Sequence, residues 1–377
     1  MTRRRTLAVA RKEFLHILRD PRSLGMALAI PVVLLLLFGV ALTLDVDRIP
    51  VLVYDADGSP QSRQLIARFD GSRFFEVTGY TLRYAEIEAQ IDSSRALLAL
   101  VIPPDFSQEL LAGRRPRLQL LVDGSDSNTA SIALGYAGAL LAQYELDVRA
   151  DAQSRRIGRI LNPPVEARLR VWYNSELKSK NYLVPGLIAV ILMIIAALLT
   201  SLTIAREWEA GTMEQLLATP LRPAEIVIGK MLAYFLIGVA DTTTAVVVGV
   251  FVFGVPFRGS ALAVGAACVL FLTGALFWGI LISAVARSQL LAYQIGMISS
   301  FLPAFLLSGF VFAIETMPPP IQLVTFLVPA RYFITILKGL FLKGVSVDLL
   351  AADFAFLAAY AALVFLLATR KLRQKVA

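Results

Sequence analysis

Six stretches of about 20 apolar residues constrain this chain more than any other feature, because each is as long as a helix must be to cross a bilayer. Residues 24–44, 183–205, 260–286 and 290–314 contain no charged side chain. Residues 226–255 contain only Lys230 and Asp241, and residues 349–369 only Asp353. Hydrocarbon offers no partner for a backbone N–H or C=O, so such runs must close their hydrogen bonds within themselves, as helices. With 57% hydrophobic and 17% charged residues, the chain reads as a polytopic α-helical membrane protein with six transmembrane helices. The first run is longer than the roughly 7–15 residues of a signal-peptide core, so it reads as an uncleaved anchor.

Charge sets the expected orientation. Six spans put both termini on one side. That side holds Arg3, Arg4, Arg5, Arg11, Lys12, Arg19, Arg22, Arg206, Arg222, Arg287, Arg370, Lys371, Arg373 and Lys375. The short loops opposite hold only Arg258, Arg331, Lys338 and Lys343. Retention of Lys and Arg inside makes both termini cytoplasmic. The net charge of +8 then serves topology and anionic lipid headgroups, not nucleic acid. The single cysteine, Cys268, lies within a span, and the single histidine is His16. Together they exclude an intrachain disulfide and supply no metal framework. No catalytic constellation stands out.

Residues 1–23 read as a cytoplasmic amphipathic helix leading into the first span (24–44). Leu7, Ala10, Phe14, Ile17 and Leu18 share one helical face, Arg11, Lys12 and Glu13 lie elsewhere, and Asp20-Pro21 stops the helix. Such a helix is expected in the headgroup layer. Residues 45–182 are different material, alternating strand-like and helix-like patterns. Strands are expected at 49–54, 74–78, 96–102, 117–122 and 167–173. Helices are expected up to Phe69, at 84–91 and 104–111, and over 129–160. This alternation predicts an α/β domain outside the cytoplasm, between helices one and two. Residues 183–377 hold the other five spans. Within them, residues 315–348 are broken by Pro318, Pro319, Pro320 and Pro329 into apolar pieces too short to span, which suits an outer re-entrant segment.

The segment 206–222 is charged, patterned and wedged between two spans. Thr212 and Gln215 have capping-box spacing, Gly211 frees the turn before them, and Thr219-Pro220 ends the helix, with Pro223 placed to begin the next. The segment carries Glu207, Glu209 and Glu214, and Leu216 and Leu217 are free to face a groove. A short helix of this kind suits docking of a soluble partner, with Glu225, just beyond it, as an unpartnered control. The plainer reading is an acid-bearing loop.

At these residues the chain resembles the membrane permease subunits of ATP-binding-cassette exporters, in the type-2 permease class that includes bacterial multidrug exporters. Four segments carry the resemblance along the whole length: Arg11-Lys12-Glu13-Phe14 leading to Arg19-Asp20-Pro21-Arg22, the run from Arg206 to Pro220, Leu307-Ser308-Gly309-Phe310 through Met317-Pro318, and Pro329-Ala330-Arg331-Tyr332-Phe333 through Lys338-Gly339 to Lys343-Gly344. The resemblance implies six spans per subunit and a dimer with a second permease subunit, identical or related. It implies a cytoplasmic ATPase subunit dimer that binds ATP and magnesium and docks on 206–222. It also implies export of a hydrophobic small molecule, a possible periplasmic adaptor, and a place in the bacterial inner membrane. Ser308, Gly309 and Arg331 become pathway or interface candidates.

The chain lacks a phosphate-binding loop, which needs Gly-x-x-x-x-Gly-Lys-Ser/Thr. At the nearest match, Gly229-Lys230, Ala224 replaces the first glycine and Met231 follows the lysine. No cofactor and no enzymatic activity are expected of this chain itself. Asp241 lies mid-span, where an ionisable group is costly. Either it couples an ion in a secondary transporter, or Thr242, Thr243 and Thr244 satisfy it in a packing or interface role. Lys230 is expected to snorkel to the cytoplasmic edge. A second rival is a sensor reading ligand through residues 45–182, for which the cytoplasmic segments are too short to form an output domain.

Overall fold

A computed structural model describes residues 2–41, 47–114, 116–157, 173–174, 178–286 and 288–376. Among them six helical segments are long and apolar enough to cross a bilayer: residues 24–41, 179–209, 223–252, 261–285, 289–306 and 347–373. The chain divides into two compact units, residues 1–43 with 170–377, and residues 44–169.

In the first unit, α1 (Arg3–Leu18) precedes the first span, α2 (Pro21–Ala41). The second span, α7 (Ser179–Glu209), is the hub, packing on α2, α9 (Pro223–Val247), α10 (Ala261–Val285), α11 (Gln289–Leu306) and α13 (Pro329–Lys338). It is buried nearly all round. The crossing of α7 and α10 is very close: a Cβ at Gly279 would lie 2.0 Å from Thr200 Oγ1 and 2.4 Å from the Ala197 carbonyl oxygen. Polar groups fasten the same crossing. Thr200 Oγ1 donates to Leu276 O (3.0 Å), and the N–H groups of Ile204 and Ala205 donate to Ser283 Oγ (2.8 and 2.9 Å). The last span, α14 (Ala351–Val376), covers the other side of α10.

The fifth span ends at Leu306, short of the expected Ile314. Pro303 already removes one helical donor near its end, and Gly309 follows with φ of +76°. Beyond it, α12 (Pro319–Thr325) and α13 bend by 80° against each other.

In the second unit, four strands form one sheet in the order β2-β1-β3-β4: β1 (Ile49–Asp55), β2 (Phe75–Tyr80), β3 (Leu98–Ile102) and β4 (Gln119–Val122). β1 runs parallel to β2 and β3, whereas β4 is antiparallel to β3. The apolar run Ile49-Pro-Val-Leu-Val becomes a central strand because both of its faces are covered. Val51 and Val53 pack with Leu65 and Phe69 of α3 (Pro60–Asp70), Phe106 of α5 (Phe106–Leu111), and Ala133 and Ala137 of α6 (Ser127–Ile157). On the opposite face Leu52 and Ala99 pack with Ile87 of α4 (Ala85–Asp92). Of the expected strand 167–173, all but Tyr173 lies outside the described residues, as does the end of the expected helix 129–160 beyond residue 157.

Candidate functional site

A cluster of charges closes the end of the first unit where α7 gives way to α8 (Thr212–Leu217). Its centre is Lys230 of α9, only 1% exposed. Lys230 Nζ lies 2.9 Å from Glu13 Oε1 of α1 and 3.0 Å from Glu207 Oε1 of α7. Lys12 Nζ bridges the same carboxylates, at 2.6 Å to Glu207 and 3.3 Å to Glu13. Two ammoniums and two carboxylates thus sit together, which is how a buried charge becomes tolerable. The expected snorkelling of Lys230 does not occur, because α1 folds across α9 and brings Glu13 to it. Burial pushes the Glu13 carboxyl up, but the Lys230 and Lys12 ammoniums outweigh that and leave it below its ordinary value. Burial likewise lowers Lys12, and Glu207 and Glu13 outweigh it, leaving Lys12 raised.

The face of α1 that packs only partly coincides with the one its apolar residues mark, of which Ala10, Phe14 and Ile17 are half-buried. Thr6, Val9 and Glu13 are buried, while Leu7 and Leu18 stay exposed. Gly229 permits the contact, since a Cβ there would fall 2.6 Å from Val9 Cβ.

The expected docking residues fare differently. Glu207 is 7% exposed and spent on the internal cluster, leaving its Oε2 buried without a partner among the described residues. Glu209 accepts from the Gln289 backbone N–H (2.7 Å) and Nε2 (2.6 Å), tying the end of α7 to the start of α11. The Pro220 carbonyl accepts from Arg5 Nη1 (2.6 Å). The capping box does not form: Gly211, with φ of +67°, is the N-cap of α8, and Thr212 Oγ1 turns back to the Glu207 carbonyl (3.4 Å). Leu216 is half-buried and lines a pocket between α8 and the charge cluster. It packs with Met213, which is fully buried against Ile204, Ile226, Phe277 and Val364 and anchors the short helix. Leu217's side chain lies outside the described residues. Glu214, Thr212 and Gln215 are left exposed, Thr212 and Gln215 beside the pocket that α8 shares with the charge cluster.

A pocket of about 470 Å³ lies between α8 and the charge cluster, lined by Glu13, Arg206, Glu207, Gln215 and Leu216 among others. Arg206 Nη1 lies 3.1 Å from His16 Nε2 at its edge. Of the remaining lead-in residues, Arg11 and Arg19 are exposed and Phe14 and Asp20 half-buried. Glu225 is no unpartnered control. It is 1% exposed and accepts from the Thr2 N–H (2.8 Å), Thr2 Oγ1 (3.2 Å) and the Arg222 N–H (3.1 Å), capping α9 and holding the start of α1.

The other candidates stand apart from this cluster. Asp241, 1% exposed, has no hydrogen-bond partner among the described residues for either oxygen. The threonines beside it do not satisfy it, because each hydroxyl donates to the carbonyl four residues back, Gly238, Val239 or Ala240. At the far end of α7, the Gly309 carbonyl accepts from Tyr182 OH (2.8 Å) and from Lys338 Nζ (3.3 Å), and that ammonium lies over the Tyr182 ring. Ser308 donates to Ala304. Arg331 stays within its own hairpin, bonded to Thr325 and stacked 4.1 Å from the Phe326 ring. Lys338 was no sequence candidate; its only local signal was a lone cation in an apolar piece.

Six spans, one of them (α7) buried nearly all round, tied at one end by a charge cluster, define a multi-pass helical membrane protein. The chain belongs to the ABC-2 transporter family, whose pattern (ABC-2 family transporter protein) it matches over residues 21–370. It is 35% identical over 359 residues to the probable multidrug ABC transporter permease YbhS of Escherichia coli (strain K12), covering 95% of this chain and 94% of that one. It is 33% identical over 345 residues to the probable multidrug ABC transporter permease YbhR of the same strain, covering 92% of each. A more distant relative is ABC transporter G family member 20 of Dictyostelium discoideum, 23% identical over 363 residues, 96% of this chain and 49% of that one.

Proposed function

We propose that this chain is the transmembrane subunit of an ATP-driven exporter that moves a hydrophobic or amphipathic small molecule out of the cytoplasm or inner leaflet. In this reading it works in the bacterial inner membrane, paired with a second permease subunit, with both termini cytoplasmic and residues 45–182 outside, available to substrate or to a periplasmic adaptor. ATP and magnesium bind a separate ATPase subunit dimer. That partner docks on the exposed face of α8, and its motion reaches the spans through the groups beneath.

The observation that carries this reading is the mechanical connection of α8. Met213 roots it in a core shared by α7, α9, α10 and α14, and Lys12, Glu13, Glu207 and Lys230 bind α1, α7 and α9 directly behind it. A push on α8 therefore meets a rigid junction rather than a loose loop. Reversing the exposed Glu214 to Lys should loosen the ATPase more than tenfold in pull-down, since losing one partner of an interfacial charge pair costs about 2–5 kcal/mol. Glu88→Lys, on the exposed side of α4, is the control. Retention of the ATPase at wild-type level by Glu214→Lys would remove α8 as the contact.

A further inference from the structure

Two described hydroxyls in the spans, those of Ser300 and Thr369, are buried without a hydrogen-bond partner among the described residues, and of these Ser300 lines a cavity. Thr200, Thr242, Thr243, Thr244, Thr273 and Ser308 each donate to the carbonyl four residues back, the usual way a hydroxyl is satisfied inside a helix. Ser300 of α11 does not. It is 1% exposed, and its Oγ has no hydrogen-bond partner among the described residues. Ser300 lines a pocket of about 240 Å³ midway along α7, walled by Met193, Trp278 and Tyr360 and floored by α12 and α13 through Val324, Leu327 and Ala330. No charged side chain lines it. Ser299 lines it beside Ser300. Trp278 Nε1 donates to Ser299 Oγ (3.2 Å), and Pro303, lacking an N–H, leaves the Ser299 carbonyl without its helical donor.

We propose that this pocket binds a neutral aromatic molecule of about bicyclic size that bears a hydroxyl group. The volume exceeds the ~150 Å³ of a cavity that accepts benzene and so admits a second fused ring. Aromatic walls and the absence of charge select a neutral π-system. The ligand hydroxyl accepts from Ser300 and donates toward the Ser299 carbonyl, satisfying both groups at once. The site lies within one subunit, away from the charge cluster, and does not depend on how that cluster couples to a partner. Because α12 and α13 form its floor, an occupant braces that bent pair against the spans.

The test uses the full chain in lipid nanodiscs, with 2-naphthol and naphthalene as probes and equilibrium dialysis against empty nanodiscs as the measure. Saturable binding of one 2-naphthol per chain is expected, about fivefold weaker or more in Ser300→Ala. It should be lost in Val324→Trp, which fills the pocket from a half-exposed position and so spares the core. Naphthalene should bind more weakly than 2-naphthol and be insensitive to Ser300→Ala. Binding no greater than to empty nanodiscs overturns the proposal, as does retention in Val324→Trp. Equal binding of both probes with no effect of Ser300→Ala also overturns it, leaving a crevice for lipid chains.

Discussion

Lys230 shows how a single residue can invert its expected role. A lysine near the end of a span has the length to reach water, yet here it is the buried centre of a four-charge group. Replacing it with Met leaves Glu13 and Glu207 facing one another with only Lys12 between them. Loss of one partner from a buried pair costs on the order of 3–5 kcal/mol, so Lys230→Met should lower the melting temperature markedly. Adding Glu13→Gln should recover part of the loss, and a double-mutant cycle on thermal unfolding measures the coupling. Glu13 also predicts a pH dependence. Its folded value lies below its ordinary 4.5, so its contribution is complete above that value and is lost as pH falls through the folded one. The protection factors of the α1 amides should therefore fall on acidification below about pH 4.5 in the wild type, and much less so in Glu13→Gln.

At the scale of elements, the crossing of α7 and α10 and the entry into α8 rest on glycines. Gly279→Val would drive a side chain into Thr200 and the Ala197 carbonyl, which is backbone and cannot yield. The helices must then part, and a loss of about 1–3 kcal/mol or more is expected, as for overpacked cores; yield of folded protein by size-exclusion chromatography reads it. Gly211→Val meets no neighbour but must hold φ of +67°, a cost of roughly 1–2 kcal/mol for a residue with a Cβ. Its expected effect is a displaced α8, with weaker ATPase capture and little change in melting temperature. The place of α8 was legible because Gly211 and Pro220 bracket it. Its anchor, Met213, was not, because a six-residue helix shows too few turns to reveal which face is covered.

For the whole molecule, the division into two units predicts that residues 44–169 fold when expressed alone. A unit of this size buries roughly two thirds of its unfolded surface, and its sheet is covered on both faces by its own helices. A single cooperative transition by circular dichroism is expected; a non-cooperative melt would mean that the spans are needed to complete it. The sequence by itself determined the six spans, since an uncharged run of bilayer length has one way to satisfy its backbone in lipid. It also located the four described strands and the helices between them, through hydrophobic period and turn residues, to within a few positions. Those signals are local. Only the tertiary structure decided that Glu13 meets Lys230 across 217 positions, that Glu207 turns inward while Glu214 stays out, that Glu225 holds the start of α1, and that Asp241 and Ser300 lie buried without hydrogen-bond partners among the described residues. Each of these is a distance between helices, set by how their surfaces pack, and the period of one helix carries no information about the residue that another will place beside it.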